Sequence, residues 1–317
     1  MQLHKYLLFI VMLLTINLSG CAYFQKYKTP TNEDVHLDSS LIQNYTQTLE
    51  YQEKLRAPFI ASYNYGDKNL VYVAALHTDG AGNATHQTIT KAFQEFKPEF
   101  LIVEGSAFTI VSDPDDIKYA NNCQKMNFKS CTEDAFAIIE ALKVKIPFCY
   151  GEPSDAAIHS TLKKRFITDD ELIAFYALRN IPQWKRAGIK PSPELTATWN
   201  KKLVEVLVRS SRKFRAKTAM SEAKFKKIYK AKMGRDFNFY DISDDTISPQ
   251  IDRSPKWANK MAHLVDVLRE QFLAKQIETR LNKHKRVLVV YGSAHLIKHR
   301  PMLSKVFGES TDTSIQQ

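Results

Sequence analysis

The sequence predicts an α/β protein: a mainly parallel central sheet with flanking helices and a basic helical insertion. Three observations predict it. Short apolar runs alternate with segments of helical period, the pattern of parallel strands joined by helical crossovers. The runs are apolar throughout, as expected of strands covered on both faces. Between the two strand-bearing halves, the stretch from Lys163 to Arg235 is mostly helical in period and holds 20 Lys or Arg against 6 Asp or Glu.

Taken in order, the chain begins with Lys5, the apolar stretch Leu7-Leu8-Phe9-Ile10-Val11-Met12-Leu13-Leu14, and then Leu18-Ser19-Gly20-Cys21. A basic start, an apolar core and a small-residue site make an export signal. That core is too short to span a bilayer of about 30 Å as a permanent helix. Leu-Ser-Gly-Cys resembles the lipobox of bacterial lipoproteins, which implies cleavage before Cys21 and acylation of its sulfur and new amino group. Residues 1–20 are therefore expected to be a signal peptide and 21–45 a lipidated cysteine with a polar tether. Ala22 carries no aspartate-type retention mark, which points to the outer membrane, facing the periplasm.

Residues 46–160 read as the first half of the α/β domain. Phe59–Tyr65, a turn at Gly66-Asp67-Lys68 and Leu70–Leu76 form a predicted hairpin. A helix over about Ala84–Phe96, the strand Phe100–Glu104, a helix over Glu133–Lys143 and the strand Ile146–Tyr150 follow. Residues 161–248 are the basic insertion or cap. Residues 249–308 supply the second half, with a helix over about Pro255–Lys283 and the strand Val287–Tyr291, and 309–317 read as a tail. With 44% hydrophobic and 25% charged residues among 317, the composition is that of an ordinary globular protein. No second apolar run is long enough to cross a membrane. Cys123 and Cys131, in a polar stretch, suit a local disulfide in an oxidising periplasm and lack the tight spacing of a metal site. Cys149, in an apolar run, reads as a buried free thiol.

The polar residues that follow the strands carry the chemistry. The strand Leu70–Leu76 ends at His77, Phe100–Val103 at Glu104-Gly105-Ser106, Ile146–Tyr150 at Gly151-Glu152, and Val287–Tyr291 at Gly292-Ser293-Ala294-His295. Parallel strands would release all four side chains at one carboxyl edge, where ligands of open α/β sheets bind. Two histidines and two glutamates at one edge would hold a divalent metal, or supply a general base with its orienting partner. His86 lies near enough in sequence to join them, or to cap the helix it opens. Ser106 and Ser293 read as turn residues, because neither sits in a Gly-x-Ser-x-Gly elbow.

The two strand-turn-His motifs, Ala74-Ala75-Leu76-His77 and Gly292-Ser293-Ala294-His295, with Val103-Glu104 between them, resemble the Tiki/TraB superfamily. That superfamily includes TraB/PrgY/GumN-type proteins and haem-uptake-linked ChaN-like lipoproteins; some members are metal-dependent proteases, and erythromycin esterases are distant relatives. The resemblance covers roughly residues 58–158 and 250–306. It implies that His77 and His295 are paired metal ligands with Glu104 as their acidic partner, that Glu152 fills a further acidic position, and that Arg253, in Ile251-Asp252-Arg253-Ser254, is the arginine preceding the last motif. Ala74 departs from the pattern by replacing the first motif's glycine, which makes that turn less permissive.

The expectation is a lipid-anchored hydrolase, acting on a peptide or ester, either with a divalent ion (Mn, Co or Zn) on His77, His295 and Glu104 or, metal-free, with a histidine acting as base on water. Glu152 would act as base or outer carboxylate, and Arg253 would steady an oxyanion. A non-catalytic surface lipoprotein that binds haem or another ligand is the alternative. A net charge of +11 suits a polyanion. For an exported lipoprotein the available polyanions are anionic lipid headgroups rather than nucleic acid, met through Lys163–Arg235, unless that face serves solubility alone.

Overall fold

A computed structural model of the chain describes residues 34–52, 56–77, 80–106, 111–129, 131–186, 188, 196–251 and 254–314. The expected export signal, Cys21 and Arg253 lie outside the described residues. Among those described, no helix is long and apolar enough to cross a membrane.

The strands are β1 (Phe59–Tyr65), β2 (Lys68–Ala75), β3 (Phe100–Ser106), β4 (Phe148–Glu152), β5 (Arg286–Gly292) and β6 (Thr311–Ser314). They form one sheet in the order β4-β3-β5-β2-β1-β6. β4, β3, β5 and β2 are mutually parallel, while β1 pairs antiparallel with β2 and with β6. The hairpin β1–β2 closes with Gly66 at φ 59°, a conformation that favours glycine and suits a two-residue turn. β5, the last of the parallel strands in sequence, inserts between β2 and β3 and brings both strand-turn-His motifs side by side.

The helices are α1 (Tyr45–Gln52), α2 (Ala84–Phe96), α3 (Pro114–Lys125), α4 (Glu133–Lys143), α5 (Asp155–Lys163), α6 (Asp169–Arg186), α7 (Thr196–Lys213), α8 (Glu222–Met233), α9 (Asp244–Ile247), α10 (Trp257–Leu281) and α11 (Ser293–Phe307). Alternate residues of the central strands feed two cores. Val71, Val73, Leu101 and Val103 pack with Ile89 and Phe93 of α2 and with Ile138 of α4. Tyr72, Ala74, Ile102 and Val289 pack with Leu273 and Ile277 of α10 and with Leu296 and Met302 of α11. The basic region is a cap with its own core, in which Leu172, Phe175, Leu178, Trp199, Leu207 and Phe225 are buried. α10 serves both bodies: Ala258, Met261 and Val265 belong to the cap core, and Leu273, Ile277 and Leu281 to the sheet core. The disulfide Cys123–Cys131, with Cα atoms 6.0 Å apart, joins α3 to the turn that leads into α4. Cys149 is a buried free thiol.

Several boundaries differ from the sequence expectations. Within the stretch up to residue 45 expected to be a polar tether, Val35 and Leu37 are in the core. Asn282 exchanges two hydrogen bonds with the Val35 backbone, at 2.7 and 3.0 Å, and Glu278 accepts from Leu37 N–H at 2.9 Å. β4 starts two residues later than expected, at Phe148, directly after Pro147, which has no N–H to donate to a ladder. The expected tail contains β6, whose exposed residues cover the outer edge of β1 through the backbone. Ala74 does not stand in a turn: it is buried within β2 beside Tyr291, and Ala75 is the residue level with Gly292. Its methyl group packs among the apolar residues beneath the sheet, so the departure from glycine does not disturb the site.

Candidate metal centre at the carboxyl edge of the sheet

Because β4, β3, β5 and β2 run parallel, their carboxyl ends bring Glu152, Glu104, Gly292 and His77 to one edge, and His295 joins them from the first turn of α11. Glu104 sits at an irregularity of β3, where the pairing with β4 shifts register between Val103 and Ser106. Gly105 takes φ 122° there. A Cβ on Gly105 would lie 2.7 Å from the Tyr150 ring, so only glycine permits this bulge.

The Glu104 carboxylate occupies the centre. Its Oε2 accepts the Gly292 N–H at 2.8 Å and lies 3.9 Å from His77 Nε2, while its Oε1 lies 3.7 Å from His295 Nε2. Each histidine is held from behind by a buried carboxylate. His77 Nδ1 is 2.7 Å from Glu133 Oε1, and His295 Nδ1 is 2.7 Å from Glu270 Oε1. A carboxylate at Nδ1 fixes the tautomer with the proton on that nitrogen and turns the Nε2 lone pair outward. Both Nε2 atoms then lie 3.9 and 3.7 Å from Glu104 oxygens, gaps too long for hydrogen bonds. Those gaps fall within the reach of two bonds of about 2.0–2.2 Å to a shared ion. Among the described residues, the set of three that places one ligand atom each within 4.8 Å of one another is His77, Glu104 and Glu133, and His295 falls outside it. Glu133 is engaged by His77 through Oε1, and its Oε2 is buried without a partner.

Behind the histidines, two helix faces meet. From α10 come Asp266, Arg269 and Glu270, and from α11 come His295, Lys298 and His299, each set spaced i, i+3, i+4. Lys298 Nζ donates to Asp266 at 2.6 Å and to Glu270 at 2.8 Å. His299 Nε2 lies 3.0 Å from Glu270 Oε2, off the line of a hydrogen bond. Arg269 donates to Glu152 and approaches Glu104 Oε1 at 3.4 Å.

Burial alone would raise the Glu104 pKa, but His295, Arg269, His77 and the Gly292 N–H hold it below the usual value. Glu270 is likewise buried, yet His295 and Lys298 hold it well below. The hydrogen bond to Glu133 pushes His77 up to about 9 against the opposing effect of burial. Carboxylates thus outnumber permanent cations: Glu104, Glu133, Glu152, Glu270 and Asp266 face Arg269 and Lys298. A divalent cation beside Glu104 would offset that excess.

The structure brings together His77, His295, Glu104 and Glu152 from among the residues singled out in the sequence. His86 does not join them. It is buried, stacked on Phe136 at 4.0 Å and edge-on to Phe128, with both ring nitrogens unpartnered. Ser293 opens α11 and has no hydrogen bond to either histidine among the described residues. Sequence reasoning missed Glu133, Arg269, Glu270 and Lys298. The signal for the last three was a run of charged residues at i, i+3, i+4 on helices that otherwise carry core positions. Arg269 places a guanidinium beside Glu104 and Glu152, and Arg253 lies outside the described residues. Comparison of the chain with protein-family models, with curated proteins and with solved structures finds no match.

Proposed function

We propose that the protein is a lipid-anchored hydrolase of the Tiki/TraB type that uses a divalent ion (Mn, Co or Zn) on a peptide or ester substrate. One observation carries this reading: two histidines, each hydrogen-bonded at Nδ1 to a buried carboxylate, bring Nε2 within 4 Å of the same glutamate. His77, His295 and Glu104 would hold the ion. When bound, it would bring the pKa of a water to about 7 and make hydroxide available at neutral pH. Glu133 and Glu270 position the histidines, and mutation of such partners typically costs about 10–100-fold in metal affinity. Arg269 bridges Glu152 and Glu104 through one nitrogen, and Glu152 would serve as base or outer carboxylate toward a water at the centre.

The lipid on Cys21 would keep the domain at the periplasmic face of the outer membrane, with the basic region Lys163–Arg235 toward anionic headgroups. In support, Phe166 is 95% exposed, in the loop that follows Lys163, Lys164 and Arg165. A projecting aromatic beside clustered cations suits an anionic interface, where each basic residue contributes roughly 1 kcal/mol.

Elemental analysis of the full-length protein, beside a His77→Ala, His295→Ala double variant, tests the centre. Near-stoichiometric metal in the wild type and none in the variant is the expected result. Hydrolysis that survives both chelation and Glu104→Gln would refute the mechanism.

A further inference from the structure

Next to the candidate centre lies a cavity of about 210 Å³ between α6, α9 and α10, lined by Tyr45, Arg179, Asp244, Ser248, Asp266 and Arg269 among others. Arg269 is common to both, so the cavity adjoins the residues that surround Glu104. Its charges are unevenly satisfied. Asp266 is paired with Lys298 at 2.6 Å, and Asp244 with Arg186. Arg269 serves Glu152 and Glu104, but its Nε is buried with no hydrogen-bond partner.

Arg179, from the cap, has no counter-ion among the described residues. Its guanidinium lies 5.8 Å from the Phe175 ring centroid and 5.6 Å from that of Tyr176. Those distances are near the outer limit of about 6 Å for a cation–π contact. Such contacts also leave the N–H donors of the fork unused. Arg269, Glu152 and Asp266 are among the charges that act on it, and burial draws its pKa below the usual arginine value. Arg179 is half-buried and lines the cavity, so an anionic group held there would meet donors that no acceptor among the described residues occupies.

We propose that this cavity is an oxyanion-recognition subsite, in which Arg179 receives a carboxylate or phosphate group of the substrate through its paired N–H donors and Arg269 adds positive charge at the cavity wall. The inference rests on the hydrolase reading for the word substrate. Its binding chemistry stands on the cavity itself. The volume is below the roughly 300–1,000 Å³ of sites that enclose a whole organic ligand. It therefore fits a charged terminal group, with the rest of the substrate passing toward Glu104. The cap thus contributes specificity, and the sheet edge contributes the reaction.

The test is titration of the full-length protein, in detergent and with chelator present, with inorganic phosphate and separately with acetate. Chelation removes any anion binding to an ion at the histidines. The wild type should bind at least one of the two probes, and the tighter one identifies the anionic group. Arg179→Gln should weaken that binding by about 10–100-fold, the usual size of a charged hydrogen bond. Arg179→Lys, which keeps the charge and loses the fork, should fall between. Arg212→Gln, which removes a cation from an exposed position of α7, should match the wild type. No binding of either probe, or equal binding by wild type and Arg179→Gln, would overturn the inference. Anion binding that depends on Arg179 in a protein that hydrolyses nothing would sustain the subsite and refute the hydrolase reading.

Discussion

Replacing Gly292 by alanine would put one methyl group into the gap around Glu104 and leave the backbone as it is. Gly292 has φ −53° and ψ 139°, which alanine adopts freely, so no conformational strain is introduced. The new Cβ would lie 3.1 Å from Glu104 Oε2, 3.4 Å from His77 Nε2 and 3.5 Å from His295 Cδ2. It would thus occupy the space that the two histidines and Glu104 share. Glu104 would have to yield by a few tenths of an ångström, while its hydrogen bond from the Gly292 N–H and its contact with Arg269 hold it in place. Metal–ligand distances tolerate only about 0.2 Å, so the displacement should reduce affinity by at least about 10–100-fold. That corresponds to about 1.4–2.7 kcal/mol. The metal-free fold should change by less than about 1 kcal/mol, since alanine restricts the unfolded chain and offsets the tight contact. Competition of the protein with a chelating dye measures the first quantity, and urea unfolding in chelator the second. Unchanged metal affinity in a normally folded Gly292→Ala protein would refute placement of the ion between these residues.

Three further outcomes follow from the same geometry. Lys298→Met should destabilise the protein by about 3–5 kcal/mol in chemical denaturation, because Glu270 and Asp266 lose the buried cation they share; a loss below 1 kcal/mol would mean His295 and water suffice. In metal-free protein, the His77 pKa of about 9 exceeds its ordinary value of 6.5. The stability it contributes is complete below about 6.5 and is lost as pH rises through about 9. Because the ring is 60% exposed, the change should stay within about 1 kcal/mol. Metal affinity should run the other way, rising over the same window as the proton is displaced from the ligand; melts and metal titrations at several pH values read both, and flat profiles would contradict the assignment. Phe166→Ser should weaken binding of the full-length protein to vesicles rich in anionic lipid at low salt. Equal binding by variant and wild type would remove Phe166 from the membrane contact.

The sheet and its polar edge were legible because parallel strands are apolar on both faces and end where polar residues emerge. His77, Glu104, Glu152 and His295 could therefore be placed together by counting strands alone. Their partners could not. Glu133 sits in the first turn of α4, where acidic residues are common next to the helix N-terminus whether or not they hold a histidine. Arg269 and Glu270 lie in a helix of 25 residues, where charged positions ordinarily face water; only the packing of α10 against α11 turns that face inward. β6 escaped notice because Thr311-Asp312-Thr313-Ser314 has no apolar residue, and its pairing is made by the backbone. Ala74 misled in the opposite direction: matched to Gly292 by spacing, it is offset from it by one residue across the sheet, and its role is packing.

The passage of α10 through both bodies bears on how the protein could diversify. The cap is one contiguous stretch between β4 and α10, its apolar interior is largely its own, and the sheet's end of α10 begins only after Glu270. A lineage could exchange helices α5 to α9 wholesale, or lengthen them, while the reactive side chains stayed where the strands put them. The constraint on such exchange is the register of one rod: an insertion of a single residue in α10 ahead of Arg269 would rotate the incoming cap by about 100° relative to the histidines. Recognition is thus free to drift in composition but is tied in phase to the chemistry beneath it.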